Sequence, residues 1–353
     1  MFLALKEITH EKLRYGLIVA LVTLVSFLIF ILTSLAQGLS NQNTAAINSW
    51  HTRQIVLTKD ANTNLAQSLI TTKDAGKLHL GANEAYVGQA PVVLKGTHRT
   101  KQSAQFIGLA PHQYIAQHLQ LVAGRMPKTN HEIILDTSLK NAGYQLGDHV
   151  RLNTVAQRFT VVGFTKNAKL SIAPVIYGRL ASWPQLKNIP AGFKASAIVS
   201  KQASFKSTVG NLTTVPVAKF IQQLPGYTAQ NMTFEFMIGF LMVISLIVIA
   251  VFLYIITMQK LSQYAVLRAQ GIPARVLVNA VLIQAVLLTV IGLALGAILT
   301  AGTFLVVPAA VPLAVNLPLL GGVSVGLIGM ALLGTLIPIR TILKVDPITV
   351  IGG

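Results

Sequence analysis

The apolar residues of this chain are concentrated in four long runs. Their pattern predicts membrane-spanning helices at residues 16–36, 232–258, 278–307 and 319–339. At a rise of 1.5 Å per residue, each run is long enough to cross about 30 Å of hydrocarbon. Residues 236–258 are the most uniform part, with no charge and no proline. The pattern is typical of an integral membrane protein with four helices.

A polar stretch of nearly 200 residues separates the first span from the second. Short β-type runs recur in it, punctuated by Gly, Asn, Lys and Pro. We predict one mixed α/β domain at residues 37–231, because the stretch is too long for a structureless loop. Residues 37–50 are predicted to continue the first span as a helical stalk. Further helices are predicted at 62–72, 111–118, 137–142 and 201–211.

The remaining segments are short. Residues 1–15 alternate apolar and charged side chains at a helical period, which predicts an amphipathic helix in the membrane interface. Residues 259–277 form a compact basic loop, 308–318 a proline-rich connection and 340–353 a tail. All eight basic residues outside the large domain lie in the N-terminal segment, the 259–277 loop and the tail.

The positive-inside rule therefore predicts that both termini and the 259–277 loop are cytoplasmic. The large domain is then extracellular, and the chain is a multi-pass protein of the plasma membrane. The large domain itself holds 20 of the 28 Lys and Arg residues, but the charge rule does not govern long domains.

The amino-acid composition excludes several classes of site and partner. Of the residues, 53% are hydrophobic and 11% are charged, well below the usual charged share of about 25%. The absence of cysteine excludes disulfides and thiolate-bound metals. The net charge of +18 is spread without a dense basic run, so it predicts a basic surface facing anionic lipid or wall polymer rather than a nucleic-acid site.

No motif for self-contained chemistry is present. The chain has no P-loop, no HExxH, no G-x-S-x-G elbow and no histidines at a metal-ligand spacing. We therefore predict no catalytic residues, no metal site and no intrinsic cofactor, and a chain that is not an enzyme.

Several segments resemble the MacB/FtsX-type permease subunits of ABC transporters. One long outer domain lies between the first two spans, and two closely spaced spans follow. Four segments of the outer domain resemble the family's motifs: LVAGRMP at 121–127, EIIL at 132–135, LGD at 146–148 and FTVVGF at 159–164. Residues 226–272 resemble the branch that contains the heme exporter permease HrtB and its DevC-like relatives.

This resemblance covers essentially the whole chain and implies its fold class. The expected fold is an α-helical membrane protein of the type VII ABC permease kind, with a large extracytoplasmic α/β domain between helices 1 and 2. The resemblance also implies a homodimer that works with two copies of a separate ABC ATPase. ATP hydrolysis then belongs to that subunit, and heme is the implied substrate.

Glu235 stands at the boundary of the second span, where an ionisable group marks a functional position by default. The alternative is an interfacial carboxylate that simply reaches water. If heme is the substrate, nearby side chains supply plausible axial ligands or aromatic contacts. The predicted heme-binding set is Glu235, Tyr227, Met232, Met237 and Phe234. We also expect Glu235 to lie at the start of its helix, where the helix dipole favours a carboxylate.

The cytoplasmic loop is the predicted contact with the ATPase. Residues 263–269 can form a short helix that Gly271 and Pro273 end sharply. The predicted coupling residues are Leu267, Arg268, Gln270, Gly271 and Ile272. A merely solvated connector is the alternative.

Three functions remain open from the sequence. The first is heme efflux. The second is export of a peptide, lipid or drug by the same cycle. The third is an FtsX-like signal transmitter that moves no substrate and regulates a cell-wall enzyme. Gly292-x-x-x-Gly296 and Gly322-x-x-x-Gly326 predict close helix packing, either within the subunit or across a dimer.

Overall fold

The computed structural model describes residues 11–97, 99–308 and 311–344. Most of the predicted amphipathic segment, residues 1–10, and the end of the tail lie outside the described residues. The chain divides into a membrane unit (Met1–Gly38 and Asn231–Gly353) and an outer unit (Leu39–Gln230). The helices, in chain order, are α1 (Lys12–Ser49), α2 (Thr72–Gly76), α3 (Tyr114–His118), α4 (Thr137–Asn141), α5 (Trp183–Lys187), α6 (Val217–Gln222), α7 (Tyr227–Gln259), α8 (Leu261–Ala269), α9 (Ala274–Val306), α10 (Leu317–Gly334) and α11 (Leu336–Leu343).

Four helical segments of the described chain are long and apolar enough to cross a membrane: α1, α7, α9, and α10 together with α11. The first of them continues to Ser49, so the stalk pattern of residues 37–50 is confirmed as helix. The fourth is interrupted at Thr335. Pro338 explains the interruption, because it has no N–H to donate to the carbonyl of Gly334 and its ring crowds that group.

The core of the membrane unit lies between α1, α7 and α9. Tyr15, Ile18 and Val22 of α1 pack with buried side chains of the other two helices, among them Ile249 and Leu288. Each of these side chains is almost fully buried, which is typical of helices that hold one another rather than lipid.

The Gly292/Gly296 pair of α9 faces α1 within the same chain. A Cβ added at Gly292 would overlap Val22, and one added at Gly296 would overlap Ser26 Oγ. Ser26 Oγ also donates a hydrogen bond to the Gly292 carbonyl across 3.2 Å. The glycines therefore permit close backbone approach inside the subunit. Gly322, by contrast, has no neighbour within 4 Å of an added Cβ.

The outer unit is built on a mixed β-sheet. Its strands are β1 (Gln54–Thr58), β2 (Ile70–Thr71), β3 (Glu84–Lys95), β4 (Gln102–Leu109), β5 (Leu121–Gly124), β6 (Glu132–Asp136), β7 (His149–Leu152), β8 (Arg158–Thr165), β9 (Lys169–Leu170), β10 (Ala173–Arg179), β11 (Phe193–Ala195), β12 (Ala197–Ser200) and β13 (Leu212–Pro216). The main sheet has the order β13-β1-β12-β3-β4-β10-β6-β8-β5. The β4/β10 and β6/β8 pairs are parallel, and the other pairs that join the described strands are antiparallel.

The two largest apolar clusters of the outer unit each contain a tryptophan. One surrounds Trp50, which follows the stalk end of α1, and the other surrounds Trp183 at the start of α5. Trp50 Nε1 donates to the Tyr177 hydroxyl at 3.1 Å, and Trp183 Nε1 donates to the Gln89 carbonyl at 2.9 Å. Each buried indole N–H is thus satisfied, as burial of a polar group requires.

Two predicted helices of the outer unit are wrong. Residues 62–72 contain Asn62 and Thr63 in the left-handed region, with φ of +45° and +59°, so the segment forms a turn rather than an α-helix. In residues 201–211, side-chain hydroxyls accept backbone N–H bonds; Thr214 Oγ1, for example, accepts from Ser207 N at 2.9 Å. Such local bonds compete with a helix.

Candidate functional site

Glu235 lies on α7 in the membrane unit, eight residues after the helix begins at Tyr227. Its side chain is exposed and forms no hydrogen bond or ion pair with any residue that the structure describes. The expectation that it starts its helix is wrong, and the helix dipole, which acts within the first turn, does not explain its charge. An ionisable side chain at the boundary of an apolar span marks a candidate functional position.

Met232 precedes both Glu235 and Phe236 by one turn of α7, so these three side chains share a face. Met232 is 63% exposed and Phe236 is 76% exposed. Phe234 and Met237 project from other sides of the helix, because they are two and five residues from Met232. The structure therefore groups Met232 with Glu235, separates Phe234 and Met237 from them, and adds Phe236. The four-residue spacing of Phe236 from Met232 is the sequence signal that could have identified Phe236.

Tyr227 belongs to the outer unit. Its hydroxyl shares a hydrogen bond of 2.9 Å with Ser40 Oγ, and its ring packs against the apolar cluster around Trp50. A phenol held in this way serves the packing of the outer unit.

The loop at residues 259–277 contains the helix α8, which ends in a Schellman motif. Gly271 N donates to the Arg268 carbonyl at 3.0 Å, and Ile272 N donates to the Leu267 carbonyl at 3.1 Å. Gly271 has a φ of +88°, a conformation that strains any residue with a Cβ. All five predicted coupling residues thus lie in the end of one short helix, with Gln270 as its C-cap.

One side of α8 is anchored and the other is exposed. Tyr264 is buried with Leu277 and Ile342, and Leu267 packs beside them. The opposite side presents Ser262, Gln263, Ala269 and Gln270 around Val266, which is 45% exposed. An apolar side chain within a polar exposed face is typical of a contact surface. Sequence reasoning missed Val266, although the apolar spacing of Tyr264 and Leu267 already places it on the outward face.

The base of α8 is held by a buried cation. Lys260, with a side chain only 5% exposed, lies 3.6 Å from the Glu11 carboxylate, and its Nζ donates to the Tyr15 hydroxyl at 3.3 Å. Glu11 also pairs with Arg14 at 3.0 Å. The first and second spans are therefore joined by charge where α8 begins.

Two parts of the sequence match known protein-domain families, and together they span most of the chain. Residues 16–215 match the MacB-like periplasmic core domain, and residues 235–347 match the FtsX-like permease C-terminal domain. The chain is a MacB/FtsX-type permease.

Relatives of this permease are similar over its full length. A Staphylococcus epidermidis protein named "Putative hemin transport system permease protein HrtB" is 24% identical over 100% of this chain and 99% of its own. A Staphylococcus haemolyticus protein of the same name is 27% identical over the same shares of the two chains.

Solved structures are similar to the outer part of the permease. The periplasmic region of MacB from Actinobacillus actinomycetemcomitans is 17% identical, with a TM-score of 0.36, over 50% of this chain and 94% of its own. The extracellular domain of the ABC-type transporter YknZ is 13% identical, with a TM-score of 0.32, over 44% of this chain and 84% of its own.

The LVAGRMP segment of the permease makes contacts that stabilise the outer unit. Gly124 has a φ of +83°, and a Cβ there would overlap the Val162 carbonyl. Arg125 forms two hydrogen bonds to the Glu132 carboxylate, of 2.8 and 2.6 Å, while the backbone N–H of Lys128 also donates to Glu132 at 2.6 Å. The motif therefore ties the end of the edge strand β5 to the start of β6, on the other side of β8.

The described residues contain no group of three or more His, Asp or Glu side chains placed to hold a metal ion.

Proposed function

We propose that this permease exports heme from the membrane, powered by a separate ABC ATPase. The observation that carries the proposal is the unpaired carboxylate of Glu235, exposed beside Met232 and Phe236 on an apolar helix. A carboxylate oxygen and a thioether sulfur are both ligands for heme iron, and an aromatic ring packs on a porphyrin face. The full-length similarity to proteins named for hemin transport supports the same substrate.

The site is proposed to close between two copies of this chain. On one copy, Met232, Glu235 and Phe236 form an open helix face, which binds a flat ligand on one side only. A homodimer supplies the same face a second time and removes the carboxylate from hydrocarbon. Tyr227, Phe234 and Met237 are then supporting residues at most, since their side chains lie away from that face or in packing contacts.

Coupling to the ATPase is proposed to run through the exposed side of α8. Val266 and the polar residues around it face outward, while Tyr264 ties the helix to α9 and α11. The Schellman end at Gly271 keeps the helix short and rigid, so a push on it is passed on to the spans. Two ATPase copies would engage the two copies of α8.

The experiment separates substrate binding from coupling. Glu235→Gln keeps the size of the side chain but removes its charge, so we expect weaker hemin binding by the purified protein and heme-sensitive cells. Stimulation of the partner ATPase should persist. Val266→Asp is the matched variant, with normal hemin binding and lost stimulation.

Both variants are first checked for normal membrane insertion. If Glu235→Gln cells tolerate heme as well as the wild type and the hemin spectra are unchanged, the proposed site is wrong. If the wild-type protein binds no hemin, the proposed substrate is wrong, and export of another amphiphile or signal transmission takes its place.

A further inference from the structure

A cleft of about 480 Å³ opens in the outer unit where the stalk helix α1 ends. Its volume is within the range of small-molecule sites. The end of α1, the helix α3 and the turn after β8 form its walls. Two histidines, His51 and His118, line it together with Lys166. None of these residues belongs to the Glu235 site.

His118 is prepared to donate a nitrogen lone pair. Its Nδ1–H donates a hydrogen bond of 2.7 Å to the Tyr114 carbonyl, one turn earlier in α3. Because a carbonyl can only accept, this bond places the proton on Nδ1 and leaves Nε2 with its lone pair in the neutral ring. Orientation by a backbone carbonyl is the arrangement that metal-binding histidines usually have. Within the described residues, no group is bonded to Nε2.

His51 occupies a position where glycine is the usual residue. It lies just beyond α1 with a φ of +52°, and its N–H donates to the Asn48 carbonyl at 3.2 Å. Helices commonly end on glycine in this conformation, because a Cβ makes it less favourable. Its imidazole is exposed and, within the described chain, makes no hydrogen bond or ion pair. A strained residue with a chemically versatile side chain at a cleft points to function.

The charges around the cleft favour a ligand that combines a metal cation with acidic groups. Asn48 and Ser49, in the last turn of α1, line the cleft, and the negative end of a helix dipole attracts a cation. Lys166 lines the same cleft. Lys169 lines an adjoining cleft of about 300 Å³ that shares Asn167 with the first.

One carboxylate also faces the adjoining cleft. Asp136 is buried and accepts backbone hydrogen bonds from Ser138 at 2.9 Å and Ala168 at 3.1 Å. These bonds satisfy its charge within the fold. Lys166 and Lys169 are therefore the charged side chains of the two clefts that can pair with an acidic ligand.

We propose that the cleft is a second site for a ferric porphyrin. His118 supplies one axial nitrogen and His51 the other, while Lys166 and Lys169 pair with the two propionates. A bare metal ion is held by four or more ligand atoms at about 2–2.6 Å and needs no space of this size, whereas a planar metal complex fills it. The inference rests on the proposed heme export and assigns a holding place for heme outside the membrane spans.

The test uses the full-length protein in detergent, titrated with hemin and followed by its visible spectrum. Ligation by two imidazoles gives a low-spin ferric spectrum, which carboxylate ligation at Glu235 does not reproduce. We expect His118→Ala to weaken the low-spin component at least tenfold. His51→Gly should convert it to a high-spin form while the protein folds as stably as before, because glycine suits the left-handed conformation.

Control variants separate this site from the one in the membrane. His112→Ala, at an exposed position of the turn before α3 that does not line the cleft, should leave the low-spin component unchanged. Glu235→Gln should also leave it unchanged, even if heme tolerance is lost. A low-spin component that survives His118→Ala overturns the second site without touching the proposed export function.

Two further probes distinguish a porphyrin from a bare ion. Iron-free protoporphyrin should bind the cleft far more weakly than hemin, because the axial bonds are absent. Zinc(II) chloride alone should not compete with hemin there. Equal binding of the iron-free ring, or His118-dependent binding of zinc without hemin binding, contradicts the proposal.

Discussion

Glu132 and Glu235 are both glutamates on regular elements, but their surroundings give them opposite roles. Glu132 receives the Arg125 guanidinium and two backbone N–H groups, and its side chain is 15% exposed. Glu235 stands exposed on an apolar helix with no partner among the described residues. The carboxylate of Glu132 is fully paired within the fold, whereas the carboxylate of Glu235 is the one proposed to meet a substrate.

The hydrogen bond from Arg125 is the main cause that lowers the pKa of Glu132 to about 2. The unfolded chain has a glutamate pKa of about 4.3. Because the folded pKa is the lower one, the ion pair contributes its full stability above about pH 4.5 and loses it as the pH falls towards 2. Arg125 is nearly half exposed, so salt reduces the contribution.

We therefore expect Glu132→Gln to lower the melting temperature of the purified protein at pH 7, and the difference from the wild type to shrink between pH 4.5 and 3. Thermal unfolding in detergent at these pH values is the measurement. Lys101→Ala, which removes an exposed cation that forms no ion pair within the described chain, is the control and should show no such convergence. A difference that stays constant with pH would falsify the assignment of the ion pair.

At the scale of elements, the packing of α1 against α9 depends on residues without side chains. A Cβ at Gly296 would overlap Ser26 Oγ and lie 3.1 Å from the backbone nitrogen of Phe27. The helices must then move apart, and Ser26 must give up its bond to the Gly292 carbonyl. Overpacking of this kind costs about 1–3 kcal/mol.

Gly296→Ala should therefore lower the thermal stability of the detergent-solubilised protein. Gly322→Ala is the matched control: it adds the same methyl group to an apolar span but meets nothing within 4 Å. Since alanine is favoured over glycine in helices by about 1 kcal/mol, the control should be neutral or stabilising. Equal melting temperatures for the two variants would show that α1 and α9 do not pack closely at Gly296.

The same elements show what a sequence can and cannot reveal. The four spans and the short helix in the 259–277 loop follow from local periodicity and turn residues, which act over a few positions. The α1–α9 contact and the pairing of Lys260 with Glu11 join residues hundreds of positions apart. Periodicity carries no information about such partners, so GxxxG alone left the choice between subunit and dimer open.

The candidate site likewise contains residues that the sequence identifies and residues whose surroundings only the structure shows. Glu235 was identified from its charge beside an apolar run, and Met232 from its spacing to it. The spacing of Phe236 from Met232 places it on the same helix face, but an aromatic residue inside an apolar run carries no local signal that its side chain is exposed. Tyr227 was included for its phenol, whose bond to Ser40 only the folded chain shows.

At the scale of the whole molecule, orientation in the membrane is decided by the distribution of basic residues. The eight Lys and Arg residues outside the large domain all lie in segments predicted to be cytoplasmic. Those near the described span ends include Arg14, Arg268 and Arg340. Short basic segments resist translocation, whereas a long domain crosses regardless of its charge. The outer unit is therefore expected outside the cell and α8 inside, where an ATPase can reach it.

This orientation can be tested with single cysteines, because the chain contains none of its own. Ser204 in the outer unit and Ser262 in α8 are both exposed, so each accepts a cysteine without disturbing a core. In intact cells, a membrane-impermeant maleimide should label Ser204→Cys and spare Ser262→Cys. After the cells are opened, both should react, which controls for the accessibility of the second position. Labelling of Ser262→Cys in intact cells, with Ser204→Cys protected, would place the ATPase-facing loop outside and exclude the proposed coupling through α8.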